Sequence, residues 1–107
     1  MNPVEEIIGF QIPEQHPAFP GHFPGRPIVP GAMLLEEVYA RIEASLGIDC
    51  YGYALRAVKF LHPLAPGAEL SLCYRRDDSG TVHFTVSGGN QLVATGSLQP
   101  WVTDGKP

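Results

Sequence analysis

Apolar and polar residues alternate in five segments of the chain, as they do in strands with one buried face. The first segment covers residues 4–12, where Ile8 and Phe10 share one face. The other four follow in the second half of the chain, at residues 53–61, 69–75, 81–87 and 91–99. Short turns at residues 77–80 and 88–90 predict that the last three strands form an antiparallel meander.

A helix is predicted between the first two strands, because apolar residues recur there at helical spacing: Leu34, Leu35, Val38, Ile42 and Leu46. Pro30 suits the first position of this helix, where a missing N–H costs nothing, and Gly47 suits its C-terminal stop. The order β-α-β-β-β-β predicts a single α+β domain, residues 1–102, in which a five-stranded antiparallel sheet wraps around one central helix. We expect the polar tail, residues 103–107, to be frayed.

The segment before the helix, residues 16–30, carries five prolines. Proline fixes φ and removes a backbone donor, so neither a helix nor a central strand can form there. Large apolar residues are interleaved with the prolines, which argues against a flexible linker. We therefore expect a stiff, packed loop that carries His22 to the start of the helix.

Composition narrows the range of functions. The chain has 107 residues, of which 44% are hydrophobic and 17% charged, and this is typical of a globular protein. The net charge of −4 argues against a nucleic-acid partner. No apolar run approaches the length of about 18 residues that a membrane span requires, and the acidic start of the chain is unlike a signal peptide. We expect a cytoplasmic protein with no membrane partner.

Three residues near the helix start could together eliminate water from a thioester. His22 is a candidate base at neutral pH, and Glu36 is a candidate general acid. A free amide at Gly31 could stabilise the enolate charge. Each residue also has an ordinary structural interpretation: a solvated loop histidine, a glutamate that pairs with the helix dipole, and a glycine that permits tight packing. The remaining histidines lack the spacing of metal ligands, so we predict no metal and no cofactor.

Two motifs resemble a known family. Residues 21–31, GHFPGRPIVPG, followed by MLLE at residues 33–36, closely resemble the signature of bacterial 3-hydroxyacyl-acyl-carrier-protein dehydratases with the hotdog fold. The stretch VKF at residues 58–60, followed by Pro-Leu at 63–64 and Pro-Gly at 66–67, is also similar to this family. The resemblance implies a hotdog fold and a homodimer with two sheets joined edge to edge.

The resemblance also implies roles for individual residues. His22 matches the catalytic histidine, Glu36 the catalytic carboxylate supplied by the opposite subunit, and Gly31 the glycine whose N–H polarises the thioester carbonyl. The acyl-binding residues would be Phe23, Pro30 and Phe60. Three basic residues are candidates for docking an acidic acyl carrier protein: Arg26, Arg56 and Lys59.

The chain departs from the fatty-acid-cycle members of that family. They usually carry an extra N-terminal segment, and a basic pair where this chain has Leu61 and His62. In these respects the chain resembles short accessory dehydratases, such as those of aryl-polyene clusters. Two alternatives stay open: a hotdog thioesterase in which Glu36 or Glu37 activates water, and a non-catalytic module that binds acyl chains or their carrier.

Overall fold

The computed structural model describes residues 5–12 and 29–101. Its elements follow the predicted order: β1 (Glu5–Gln11), α1 (Gly31–Leu46), β2 (Tyr53–Phe60), β3 (Glu69–Arg76), β4 (Val82–Gly88) and β5 (Gln91–Pro100). A short 3-10 helix at Cys50–Gly52, which the sequence did not predict, precedes β2. Most of the loop at residues 16–30 and the predicted tail lie outside the described residues, so the domain limits stay a prediction.

The five strands form one antiparallel sheet in the order β1-β3-β4-β5-β2. Consecutive strands β3, β4 and β5 are neighbours, which confirms the predicted meander. β1 pairs with β3, with Phe10 opposite Leu70, and β2 pairs with β5, with Leu55 opposite Leu98. The two strands nearest to α1 along the chain are therefore the two edges of the sheet.

One face of the sheet and one side of α1 form the hydrophobic core. The helix contributes Met33, Leu34, Val38 and Ile42. The sheet contributes alternate residues of its central strands: Leu70, Leu72, Tyr74, Val82, Phe84, Val86, Ala94 and Leu98. Burial of each large side chain is worth about 1.5–3 kcal/mol, so the alternating pattern decides which face of the sheet meets the helix.

Two bulges interrupt the sheet beside α1. Between Arg56 and Lys59 the pairing of β2 with β5 shifts by one residue, and Ala57 there has a φ of 54°. A second shift leaves Val93 as an extra residue in β5. A bulge turns the side chains that follow it to the opposite face. Phe60, which is opposite Ala94, consequently lies on the core side of the sheet.

The C-terminal end of α1 lies where the sequence predicted it, whereas the N-terminal end differs from the prediction by one residue. Gly47 closes the helix with a φ of 68°, and its N–H donates to the Glu43 carbonyl at 2.9 Å, as predicted. Pro30, which we expected at the first helical position, is instead the extended residue before it, and Gly31 is the first helical residue. The first amides of any α-helix have no acceptor within the helix, and Pro30 supplies no side-chain cap for them.

Candidate functional site

A cavity of about 420 Å³ lies where the start of α1 meets the end of β2. Its lining consists of Val29, Gly31 and Leu34, residues 60–64, and Val93 from the bulge in β5. The N–H of Val29 donates to the Leu64 carbonyl at 2.8 Å and so joins the two sides of the cavity. The lining is mostly apolar, which suits an acyl chain.

Gly31 and Phe60 are in contact within this cavity. A Cβ atom added to Gly31 would lie 2.8 Å from Cζ of Phe60, so the ring packs directly over the glycine. Phe60 is 51% exposed and can move, whereas the Gly31 amide is fixed by the helix. An unpaired N–H at the positive end of a helix is suited to stabilise a developing oxyanion. The structure thus brings together two of the predicted site residues.

Glu36 lies elsewhere on α1. Its side chain is exposed and lines a second recess of about 370 Å³, together with Tyr39, Ala40, Glu43, Cys50 and Tyr51. Among the cavities formed by the described residues, Gly31 and Glu36 therefore line different ones. This separation is consistent with the geometric limit of a helix, along which five residues span about 7.5 Å.

Two groups in the recess beside Glu36, Cys50 and Tyr39, have a raised pKa. Burial, with a smaller effect from the Glu43 carboxylate, raises the pKa of Cys50 to about 11, and burial also raises the pKa of Tyr39. The Glu43 carboxylate accepts a hydrogen bond from the Cys50 amide at 2.8 Å. Because the thiolate is the nucleophilic form, Cys50 is not a reactive nucleophile at neutral pH.

The other predicted site residues are distributed differently. His22, Phe23 and Arg26 lie outside the described residues. Arg56 and Lys59 are exposed on the edge strand β2, on either side of its bulge. Pro30 adjoins the cavity but is not among the described residues that line it.

His62, which was not among the predicted site residues, lines the cavity with Gly31 and Phe60. Its Nδ1 donates a hydrogen bond to the Leu92 carbonyl at 2.8 Å. The only sequence signal was that His62 stands where related proteins carry a basic residue. Its partner Leu92 is 30 residues away, so the contact could not be predicted from local sequence.

Within residues 5–12 and 29–101, no group of three or more His, Cys, Asp or Glu side chains is placed to hold a metal ion. In the same part of the chain, no helix has the length and apolar character needed to cross a membrane. The predicted absence of a cofactor stays a prediction.

The sequence of the chain matches a known protein family. The family described as ApeI dehydratase matches residues 4–97. The chain belongs to the ApeI-like dehydratase family. The family predicted from the two sequence motifs is thereby confirmed.

Two relatives extend the ApeI-like assignment. The 3-hydroxyacyl-acyl-carrier-protein dehydratase FabZ of Levilactobacillus brevis is 32% identical over 91 residues, which are 75% of this chain and 62% of the relative. The solved dehydratase heterocomplex ApeI:P from Xenorhabdus doucetiae gives a TM-score of 0.74 at 25% identity, with 92% of this chain and 97% of that chain covered. This similarity confirms the predicted hotdog fold.

Not every structure that resembles this ApeI-like chain is a dehydratase. The fluoroacetyl-CoA thioesterase FlK gives a TM-score of 0.61 at 12% identity, with 90% of this chain and 82% of that chain covered. At that identity the similarity shows the fold alone. The chain spans between 52% and 62% of the lengths of the first curated relatives that it matches.

Proposed function

We propose that this protein dehydrates a 3-hydroxyacyl thioester, carried by an acyl carrier protein, to the trans-2-enoyl thioester. The observation that carries the proposal is the position of Gly31, which is the first residue of α1 and lines an apolar cavity in a member of a dehydratase family. A thioester carbonyl that accepts from this amide would place its acyl chain among the apolar lining residues. The amide then stabilises negative charge on that oxygen.

The reaction needs one base and one acid besides the Gly31 amide. In the proposed mechanism, His22 removes a proton from the carbon next to the thioester carbonyl, and the electron pair moves into an enolate. When the enolate collapses, the bond to the 3-hydroxyl breaks and Glu36 donates the proton with which that group leaves as water. His22 is left protonated and Glu36 deprotonated, so a proton returns from one to the other before the next turnover.

A second subunit is part of the proposal, because Gly31 and Glu36 line different cavities of one chain. A homodimer would bring Glu36 of one copy to the Gly31 cavity of the other. The exposed edge strand β2 is the proposed place of contact, since Leu55 and Phe60 leave apolar surface there. The heterocomplex formed by the Xenorhabdus relative makes a second, different subunit the alternative partner.

Exposed basic residues support docking of the carrier. Arg56 and Lys59 stand on β2 of a protein with a net charge of −4, and with Arg26 they are the proposed contacts for an acidic carrier protein. Replacing Arg56 and Lys59 by glutamate should raise KM for a carrier-bound substrate. An equal rise in KM for a small thioester would contradict the docking role.

Two substitutions test the chemistry. His22→Ala and Glu36→Gln should each lower kcat by about 10²- to 10⁴-fold, the usual contribution of a general acid or base. Water loss from a 3-hydroxyacyl thioester is followed through the absorbance of the enoyl product. Glu37→Gln is the matched control, because Glu37 is adjacent but forms an ion pair with Arg41 at 2.7 Å. It should keep most of the activity.

The alternatives give different results in the same assay. Full activity of either His22→Ala or Glu36→Gln would refute the proposed roles. Release of free thiol that is lost in Glu36→Gln but kept in His22→Ala would indicate a thioesterase. Tight binding of a hydroxyacyl carrier without any turnover would indicate a binding module.

A further inference from the structure

His62 differs from every other described residue that lines the Gly31 cavity, because it alone has a polar side chain there. Its neighbours in the lining are a glycine, a proline and apolar side chains such as Phe60 and Val93. In an apolar pocket, a small number of placed polar groups fix the orientation of the ligand. His62 is therefore the side chain in this lining that can recognise a polar group by hydrogen bonding.

The His62 ring is held in place from two directions. Pro63 restricts the backbone of the preceding residue to extended conformations. The N–H of Leu61 donates to the Val93 carbonyl at 2.8 Å, and Nδ1 of His62 donates to the adjacent Leu92 carbonyl, also at 2.8 Å. The two residues after β2 are thus fixed to consecutive carbonyls of β5.

This anchoring determines which ring nitrogen faces a ligand as an acceptor. A carbonyl oxygen only accepts hydrogen bonds, so Nδ1 must carry the proton in its contact with Leu92. In the neutral ring, Nε2 is then an acceptor. Gly31 can contribute a helix-start amide as a donor and His62 a ring nitrogen as an acceptor to a cavity whose other lining side chains are apolar.

We propose that His62 is a positioning residue, whose Nε2 accepts a hydrogen bond from an N–H or O–H group of the thioester that occupies the cavity. The inference rests on the proposed function only in taking a thioester as the ligand. Two parts of such a ligand carry a suitable donor: the amide of the thiol arm and a hydroxyl group on the acyl chain. The thioester is then held at two points: its carbonyl accepts from the Gly31 amide, and its N–H or O–H group donates to His62.

Calorimetric titration with thioesters that cannot react distinguishes the two candidate donors, the arm amide and the acyl hydroxyl. Three such thioesters are used. The first is a saturated acyl thioester of N-acetylcysteamine, which has an arm amide and no hydroxyl. The second is an S-alkyl thioester of the same acyl length whose 3-hydroxyl is kept and whose α-carbon is blocked by two methyl groups, so that water cannot be eliminated. The third is a saturated S-alkyl thioester with neither donor.

His62→Leu should weaken binding of a donor-bearing thioester about 3- to 10-fold, the effect of one neutral hydrogen bond, and leave the third thioester unaffected. If affinity falls for the first thioester, the arm amide is the donor to His62. If it falls for the second, the acyl hydroxyl is the donor. His62→Gln, whose side-chain oxygen also accepts, should restore most of the affinity. His83→Gln, at a histidine on β4 outside this cavity, should bind all three like the wild type.

A purely structural role for the contact with Leu92 would lower the affinity for all three thioesters equally, and that result would overturn the proposal. Unchanged affinities in His62→Leu, or no binding of any of the three by the wild type, would overturn it as well. If His62→Leu does not fold, His62→Phe serves as a second variant without an acceptor. Because no thioester in this set reacts, a failure of dehydration in the kinetic assay leaves these binding results interpretable.

Discussion

Two glycines of this protein each lie against a phenylalanine ring, but the two rings differ in their freedom to move. An added Cβ at Gly96 would lie 2.6 Å from Cζ of Phe84, and one at Gly31 would lie 2.8 Å from Cζ of Phe60. Phe84 is 2% exposed and enclosed by the core, whereas Phe60 is 51% exposed. The same substitution should therefore have different consequences at the two positions.

Gly96→Ala should lower the free energy of unfolding by about 1–3 kcal/mol, because the Phe84 ring has no space to move away. Gly31→Ala should cost less stability than Gly96→Ala but lower kcat, since the displaced Phe60 ring and the new methyl group change the carbonyl site. Urea denaturation and the dehydration assay measure the two effects. Gly52→Ala is the control, because no described atom lies within 4 Å of its added Cβ. Equal destabilisation at Gly31 and Gly96 would contradict this explanation.

At the scale of residues, the sequence motifs named Gly31 and Phe60 as candidate site residues, and the structure places them in contact. The motifs did not name His62, whose contact is with a carbonyl of another strand. Cys73 lies in the alternating pattern of β3 but is only half-buried, because Leu72 and Tyr74 on either side of it occupy the core face. Alternation assigns a residue to a face, but it does not tell how well that face is covered.

Among the elements, the turn between β3 and β4 depends on one carboxylate. Asp77 accepts hydrogen bonds from the Ser79 hydroxyl at 2.6 Å, from the amides of Ser79 and Thr81, and from Nε2 of His83 at 2.8 Å. The hydrogen bonds from Ser79 and His83 hold the pKa of Asp77 well below its usual range. All of these bonds favour the ionised carboxylate.

The lowered pKa of Asp77 gives the hairpin a stability that depends on pH. A carboxylate with a lowered pKa stabilises the folded state above the ordinary aspartate pKa of about 3.9, and this contribution is lost as the pH falls toward the folded-state pKa. Asp77→Ala should therefore lower the urea midpoint at pH 7, and its difference from the wild type should shrink as the pH falls below about 4. Asp78→Ala, at the exposed neighbouring position, is the control. A difference that stayed constant down to low pH would argue against the charge as the cause.

Element bounds were largely predictable, whereas the two bulges were not. The strands follow an alternation that each segment carries by itself, so their predicted and observed ends differ by about one residue. A bulge depends on how one strand pairs with its neighbour. The positive φ of β2 falls on Ala57 and not on a glycine, so the sequence offered no local signal for it.

For the molecule as a whole, the main consequence of the geometry is that, within residues 5–12 and 29–101, Glu36 and Gly31 line different cavities. If a homodimer completes the site, each of its two sites takes Glu36 from one subunit, and His22 and Gly31 from the other. The family resemblance suggested this arrangement. Periodicity and composition could not, because they contain no information about the partner's surface.

Mixing two inactive variants tests the shared site. When His22→Ala and Glu36→Gln are unfolded together and refolded in equal amounts, half of the dimers contain one copy of each. Each of these has one intact site, so about a quarter of the wild-type activity should return in a symmetric dimer. Each variant refolded alone is the control and should stay inactive. If the mixture also stays inactive while native mass spectrometry shows mixed dimers, both residues of a site come from the same chain.

The bulge at Ala57 also makes β2 sensitive to its own length. Leu55 and Phe60 are five positions apart, yet both are opposite core-facing residues of β5. Removing Ala57 would restore regular alternation and leave both side chains on the core face, whereas inserting one residue beside Ala57 would turn Phe60 away from Gly31. Substitutions at many exposed positions of this strand should be tolerated, while an insertion between Arg56 and Lys59 would remove Phe60 from the cavity. Single insertions and deletions at the bulge, with the dehydration assay as readout, would show whether strand length, rather than side-chain identity, is the stricter constraint on this site.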